Sequence, residues 1–141
     1  MTFLLFFAVS EEISALGFLE DLGVAVIECE DCTSAKMGYP NDEGLPEHPF
    51  YPDGLADGAA AYSVSESAWL ADVETQVKNS RDRIWGGRGM NPTFSKRQQF
   101  HFIVPLKEGT FECLAGGLQL RGYFPTFDEA FNYVLERFRE H

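Results

Sequence analysis

The sequence predicts an α+β fold, built from a mixed sheet and about three helices. Residues 2–9 are apolar throughout, residues 100–124 alternate between apolar and polar side chains, and residues 126–138 repeat apolar side chains at helical spacing. The chain has 141 residues, of which 45% are hydrophobic, and this is enough apolar material for one folded core. We therefore expect a single domain over residues 1–141.

A β-α-β unit is predicted at the N-terminus. Residues 2–9 and 24–29 have the composition of strands, and Ser10 is a suitable N-cap for a helix that ends at Gly23. A connection of about 14 residues is long enough for a crossover, so the two strands are expected to be parallel. A ferredoxin-like β-α-β-β-α-β core is one arrangement that this order of elements permits.

The middle of the chain is predicted to contain a long loop, a short strand and a helix. Residues 30–58 show little periodicity and carry four glycines and four prolines, which is typical of a loop. Residues 59–65 follow as a candidate strand. Ser63 and Glu66 match a capping box, which predicts a helix from there to about residue 79.

An antiparallel meander is predicted for residues 100–124. Gly116 and Gly117 separate two alternating segments, a pattern that indicates a two-residue hairpin turn. Such a turn places Glu112 opposite Arg121 and Cys113 opposite Leu120.

The alternation also predicts which side chains of the meander share a face. The expected core face contains Phe100, Phe102, Val104, Phe111, Cys113, Ala115, Leu118 and Leu120. The expected solvated face contains His101, Ile103, Glu112, Leu114, Gln119, Arg121 and Tyr123. A final helix, capped by Thr126 with Glu129 at the third position, is expected to cover the phenylalanine-rich face.

Charge is divided unevenly along the chain. The formal net charge is −11, and residues 1–58 hold 12 acidic side chains and one basic side chain, so the later residues balance to zero. An acidic surface is the wrong sign for binding nucleic acid as the main ligand. It favours a non-enzymatic interaction module whose partner is a basic protein. The alternative interpretation is that the acidic surface only keeps the protein soluble.

Composition also bears on location. No apolar run approaches the length of a membrane span, and an odd count of three cysteines favours a reducing compartment. We therefore expect a cytoplasmic protein that does not bind membranes.

Candidate chemistry is sparse. Cys29 and Cys32 form a CxxC pair, but no second pair at metal-ligand spacing accompanies them, so we expect neither a metal nor another cofactor. His101, Glu112 and Arg121 supply an acid, a base and an anion clamp on the predicted solvated face. They support the alternative function, a small enzyme or ligand-binding domain, while an opposed Glu–Arg pair is also a common cross-strand contact.

A third candidate site lies in the basic segment of residues 78–97. Trp85 and Arg88 flank two glycines there, and both residue types are frequent binding anchors. The alternative interpretation is a linker with Trp85 in the core.

One segment resembles other proteins. FHFI at residues 100–103 and TFECLA at residues 110–115 resemble a run found in small uncharacterised bacterial proteins, which implies a bacterial origin. In size, acidity and aromatic content the chain also resembles bacterial immunity proteins, and that resemblance implies binding of a toxin.

Overall fold

The computed structural model describes residues 1–13, 19–55, 61–85 and 97–140, which contain seven strands and two helices. They divide into two compact units: unit 1 comprises residues 1–30 and 118–141, and unit 2 comprises residues 31–117. Each unit has its own sheet. The predicted α+β class is confirmed, but two antiparallel sheets replace the single mixed sheet. The single domain stays a prediction.

Unit 1 begins with a hairpin rather than a β-α-β unit. Strand β1 (Thr2–Ile13) pairs antiparallel with strand β2 (Leu19–Glu30). Ile13 and Leu19, which the predicted helix placed on one stripe, are backbone partners in the two strands; residues 14–18 lie outside the described residues. Gly23 ends no helix. It has φ +86°, and a Cβ there would lie 2.3 Å from the carbonyl oxygen of Phe124, so the glycine permits a close approach within the sheet. Because β1 and β2 are antiparallel neighbours, the structure does not have the predicted ferredoxin-like core.

The remaining elements of unit 1 are strand β7 (Gly117–Phe124), which lies beside β2, and helix α2 (Phe127–Arg139). The predicted cap is confirmed, because Thr126 Oγ1 accepts a hydrogen bond of 3.2 Å from the Glu129 amide. Helix α2 packs on the β1–β2 hairpin, whereas the sequence predicts that it covers the phenylalanine-rich face. The core of this contact consists of Val24, Val26, Ala130 and Val134.

Unit 2 is built on the two strands that the sequence marks most clearly. Strands β5 (Phe100–Pro105) and β6 (Thr110–Ala115) pair antiparallel, as predicted. Strand β3 (Ser34–Gly38) extends the sheet beyond β6, and strand β4 (Tyr62–Val64) extends it beyond β5. The predicted loop of residues 30–58 therefore contains a strand.

The segment between β3 and β4 also contains two 3₁₀ turns, Leu45–Glu47 and Tyr51–Asp53. After β4, helix α1 covers Ala68–Trp85 and extends beyond the predicted end. Its cap is Ser67, whose Oγ accepts from the Leu70 amide at 3.1 Å, whereas Ser63 lies in β4. The predicted capping box is therefore wrong.

The predicted hairpin at Gly116 and Gly117 is wrong, because β6 and β7 belong to different sheets. Glu112 lies between Lys36 and Ile103, and Cys113 lies between Ala35 and Phe102. A Cβ at Gly116 would lie 2.6 Å from Cδ of Arg97. This glycine therefore accommodates a neighbouring side chain instead of a tight turn.

The predicted solvated face of β5 and β6 is buried. His101, Ile103 and Leu114 are buried, and so are Val104, Phe111 and Cys113 on the opposite face. Leu45 and Leu55, from the segment predicted as a loop, pack on Ile103 and supply the cover. Conversely, Leu120 is predicted in the core but is 54% exposed. The reason is that β7 pairs with β2 and not with β6.

Candidate functional site

The carboxylate of Glu112 is the centre of a buried polar cluster in unit 2. Its side chain, from the middle of β6, is 13% exposed. Four separate elements direct polar groups toward it or toward its nearest partner: Lys36 from β3, His48 from the end of the first 3₁₀ turn, Ser67 at the start of α1 and His101 from β5. We call these five residues the Glu112 cluster.

His101 joins Glu112 to Ser67. Its Nε2 lies 2.8 Å from Glu112 Oε1, and its Nδ1 lies 2.7 Å from Ser67 Oγ. The imidazole is only 3% exposed. Since the Leu70 amide donates to Ser67 Oγ, the hydroxyl proton is left to point at His101 Nδ1. The result is a continuous hydrogen-bonded chain of hydroxyl, imidazole and carboxylate.

The second histidine approaches the same carboxylate from the other side. His48 Nε2 lies 3.7 Å from Glu112 Oε2. The Phe50 amide donates to His48 Nδ1 at 3.1 Å, so the Nδ1 atom carries no proton and Nε2 is the nitrogen that faces Glu112. Lys36 Nζ adds a positive charge 3.9 Å from Glu112 Oε2.

Aromatic rings hold the two histidines and the lysine in place. The rings of Trp69 and His101 form a T-shaped pair, with centroids 5.1 Å apart and planes at 84°. Lys36 Nζ lies 4.2 Å from the centre of the Trp69 ring. Phe50 contacts both His48 and His101. Such packing limits the rotamers of the cluster and excludes bulk water from its inner side.

Glu112 keeps its charge in this environment. Burial alone raises the pKa of the carboxyl group, but the hydrogen bond from His101 and the positive charge of Lys36, with smaller electrostatic contributions from the two histidines, outweigh burial and lower the pKa below its ordinary value of 4.5. At neutral pH the ionised carboxylate therefore accepts a hydrogen bond from the N–H group at His101 Nε2. In the neutral imidazole this leaves Nδ1 as an acceptor for Ser67.

A pocket of about 490 Å³ opens beside this hydrogen-bonded chain. Ser67 and His101 line it, together with other polar residues that include Ser63, Ser65, Glu66 and Glu74. Glu66, the residue before Ser67, has φ +53°, which is uncommon for a side chain of this kind; such outliers are often found at functional sites.

Arg121 takes no part in the Glu112 cluster. In unit 1 its Nε donates to Glu28 Oε2 at 2.7 Å, and its Nη2 also contacts that oxygen. The predicted pairing of Glu112 with Arg121 is wrong. Of the three predicted residues, the structure brings His101 and Glu112 together and pairs Arg121 elsewhere.

The other predicted candidates lie apart from the cluster. Trp85 is the last residue of α1, and Arg88 lies outside the described residues. Cys29 is buried in β2, and Cys32 Sγ donates to the Ser34 carbonyl at 3.3 Å. Within the described residues, no group of three His, Cys, Asp or Glu side chains is arranged to hold a metal ion.

Sequence reasoning missed Ser67, His48 and Lys36. Ser67 had a usable signal, since a serine directly before a helical stretch is a preferred cap. No sequence signal indicated His48 or Lys36, because both lie in a segment without periodicity.

Comparisons with protein-family models, with curated proteins and with solved structures find no match for this chain. Among the described residues, neither helix combines the length and the apolar composition that crossing a bilayer requires.

Proposed function

We propose that unit 2 is a small catalytic unit in which Ser67 attacks an acyl or similar electrophilic carbon. The observation that carries this proposal is the chain from Ser67 Oγ through His101 to the ionised Glu112, at the wall of a pocket. A hydroxyl is a weak nucleophile until an adjacent base accepts its proton, and a third group that orients the base completes the arrangement.

Each residue has a separate task in this reaction. Ser67 Oγ forms a bond to the carbonyl carbon while its proton passes to His101 Nδ1. Glu112 accepts the hydrogen bond from Nε2 and stabilises the imidazolium ion. The proton on Nδ1 then moves to the leaving group, and a water molecule releases the acyl group from Ser67 by the same route.

The start of α1 supplies the electrostatic support. The first amide groups of a helix lack partners within the helix and carry the positive end of its dipole. Ser67 caps this end, and the Leu70 amide already donates to its oxygen. The carbonyl oxygen of a substrate bound at Ser67 would therefore take on negative charge close to the positive end of this helix.

The pocket favours neutral or cationic substrates. Glu66 and Glu74 are both exposed carboxylates in its lining. They repel an anionic substrate, whereas the serine and glutamine side chains there offer hydrogen bonds to polar groups.

Labelling with a fluorophosphonate tests the proposal, because this reagent modifies serines that a base activates. We expect one adduct per chain by intact mass, located at Ser67 by peptide mapping. Ser67→Ala and His101→Gln should abolish it. Ser65→Ala is the matched control, since Ser65 lines the same pocket and should leave labelling unchanged. A folded protein that stays unlabelled at a large excess of reagent would contradict catalysis by Ser67.

A second candidate function is an acidic, immunity-protein-like interaction module whose partner is a basic protein. One observation favours it: Glu43, Glu47 and Asp53 are exposed on the segment that carries the 3₁₀ turns, within the part of the sequence that holds the net charge. The negative electrostatic field of these carboxylates attracts basic partners, and salt screens it.

Affinity capture at low and high salt tests this second function. We expect the chain to retain a basic partner at low salt and to release it at high salt. The variant with Glu43→Gln, Glu47→Gln and Asp53→Asn should retain less of the same partner. Equal retention by this variant would show that these carboxylates do not form the binding surface.

A further inference from the structure

Helix α2 carries more apolar surface than the β1–β2 hairpin covers. Ala130 and Val134 are buried against the hairpin. The next positions around the helix form what we call the α2 stripe: Phe127, Phe131, Leu135 and Phe138, which are 48%, 47%, 36% and 47% exposed. Contiguous exposed apolar side chains of this kind mark interaction surfaces.

The stripe has the form of a helix-packing seam. Its members are separated by four, four and three residues, the spacing at which side chains of one helix meet those of another. Phe127 and Phe131 already stack, with centroids 6.2 Å apart and planes at 12°, and Phe138 contacts Phe3 edge-on at 5.5 Å. These contacts order three of the four side chains before any partner binds.

The charges beside the stripe indicate what covers it. Counting about 100° per residue, Asp128 and Arg139 fall on the same edge of the stripe, one near each end of the helix. A basic partner would be expected to meet acidic residues at both ends. One acid and one base instead make the edge complementary to itself when two copies of α2 meet in antiparallel orientation.

We propose that a second copy of this chain docks on the α2 stripe, with the two α2 helices antiparallel about a two-fold axis. In this arrangement Asp128 faces the partner's Arg139, and the same pair repeats at the other end. Phe127 lies near the partner's Phe138, and Phe131 near the partner's Leu135. This surface belongs to unit 1 and is independent of the catalytic proposal for unit 2.

The expected dimer is weak and reversible. A phenylalanine has on the order of 200 Å² to bury, so half-exposed side chains of this stripe contribute on the order of 350 Å² from each copy. Stable interfaces bury about 800 Å² per partner. Because the expected area is less than half of that value, we expect association only at high protein concentration.

Sedimentation equilibrium of the full chain from about 10 µM to about 1 mM tests the proposal at low and high protein concentration. We expect the average mass to rise toward two chains for the wild type. Phe131→Asp should raise the dissociation constant at least tenfold, and Leu120→Asp, an exposed leucine outside the stripe, should leave it unchanged.

A charge reversal distinguishes the proposed orientation from any other. Asp128→Arg alone should weaken the dimer about fivefold or more, and the double variant with Arg139→Asp should restore it. A wild type that remains monomeric at the highest concentration would overturn the proposal. So would a dimer that persists in Phe131→Asp, or a double variant without recovery.

Discussion

The two units each bury a glutamate on a central strand, and the residues around these glutamates differ. Glu28 of β2 and Glu112 of β6 have side chains that are 10% and 13% exposed. Glu28 is held by two arginines, Arg121 and Arg137, the latter with Nη2 at 3.4 Å. Glu112 is held by His101 and faces His48 and Lys36.

The difference in partners separates a carboxylate paired with guanidinium groups from a carboxylate paired with an imidazole. Guanidinium groups stay protonated across the physiological range, so the Glu28 cluster has no proton to exchange. Imidazole gains and loses a proton near neutral pH, and His101 also meets a hydroxyl at the wall of a pocket. A glutamate with similar burial therefore forms an ion pair in one unit and takes part in the proposed proton transfer in the other.

The largest effect is expected where the arginines lose their carboxylate. Glu28→Ala leaves two partly buried guanidinium groups without their acceptor, and we expect the free energy of unfolding to fall by about 3 kcal/mol. Chemical denaturation measures it, with Glu136→Ala on the exposed side of α2 as the control. A loss below about 1 kcal/mol would mean that solvent replaces the carboxylate at little cost.

An intermediate effect compares the two helix caps. Thr126→Ala removes only a cap, which typically costs about 1 kcal/mol. Ser67→Ala removes a cap and also leaves His101 Nδ1 without its partner in a buried site, so we expect about 2 kcal/mol. Thermal and chemical unfolding of both variants provide the comparison. Equal losses would indicate that the Ser67–His101 hydrogen bond adds nothing to stability.

The smallest effect is a dependence on pH. Because the pKa of Glu112 is lowered in the folded state, its carboxylate stabilises the fold fully above the ordinary value of 4.5 and loses this contribution as the pH falls through the lowered pKa. The stability difference between the wild type and Glu112→Gln should therefore shrink as acid is added below pH 4.5. Denaturation at a series of pH values measures it, and Glu108→Gln, an exposed glutamate, is the control. A difference that stays constant through this range would contradict a stabilising, ionised Glu112.

Part of the fold could be predicted because some elements are determined by residues close together in the sequence. The alternation of residues 100–104 and 110–115 predicted β5 and β6, and Thr126 with Glu129 predicted the start of α2. Two of the five residues of the Glu112 cluster followed from the same alternation, which placed His101 and Glu112 on one face. Ser67 could have been added from its position before α1.

The rest depended on contacts between distant parts of the chain. Alternation assigns side chains to two faces but does not say which face another segment covers, so His101 was expected in solvent and is buried under residues 45–55. Two glycines indicated a turn, yet Gly116 accommodates Arg97 and β7 joins β2. The helix predicted between residues 10 and 23 depended on only a few apolar positions. In the structure β1 and β2 pair with each other instead.

By itself the sequence determined the α+β class, the strands β5 and β6, the cap of α2 and the concentration of negative charge in residues 1–58. Each of these depends on neighbours within a few residues, where side-chain period, capping chemistry and composition act directly. Only the tertiary structure decided that Glu112 meets His101, His48 and Lys36 while Arg121 meets Glu28. The partners of a buried charge are chosen by strand order and by the segments that cover the sheet, and these involve residues as far apart in the chain as Lys36 and Glu112.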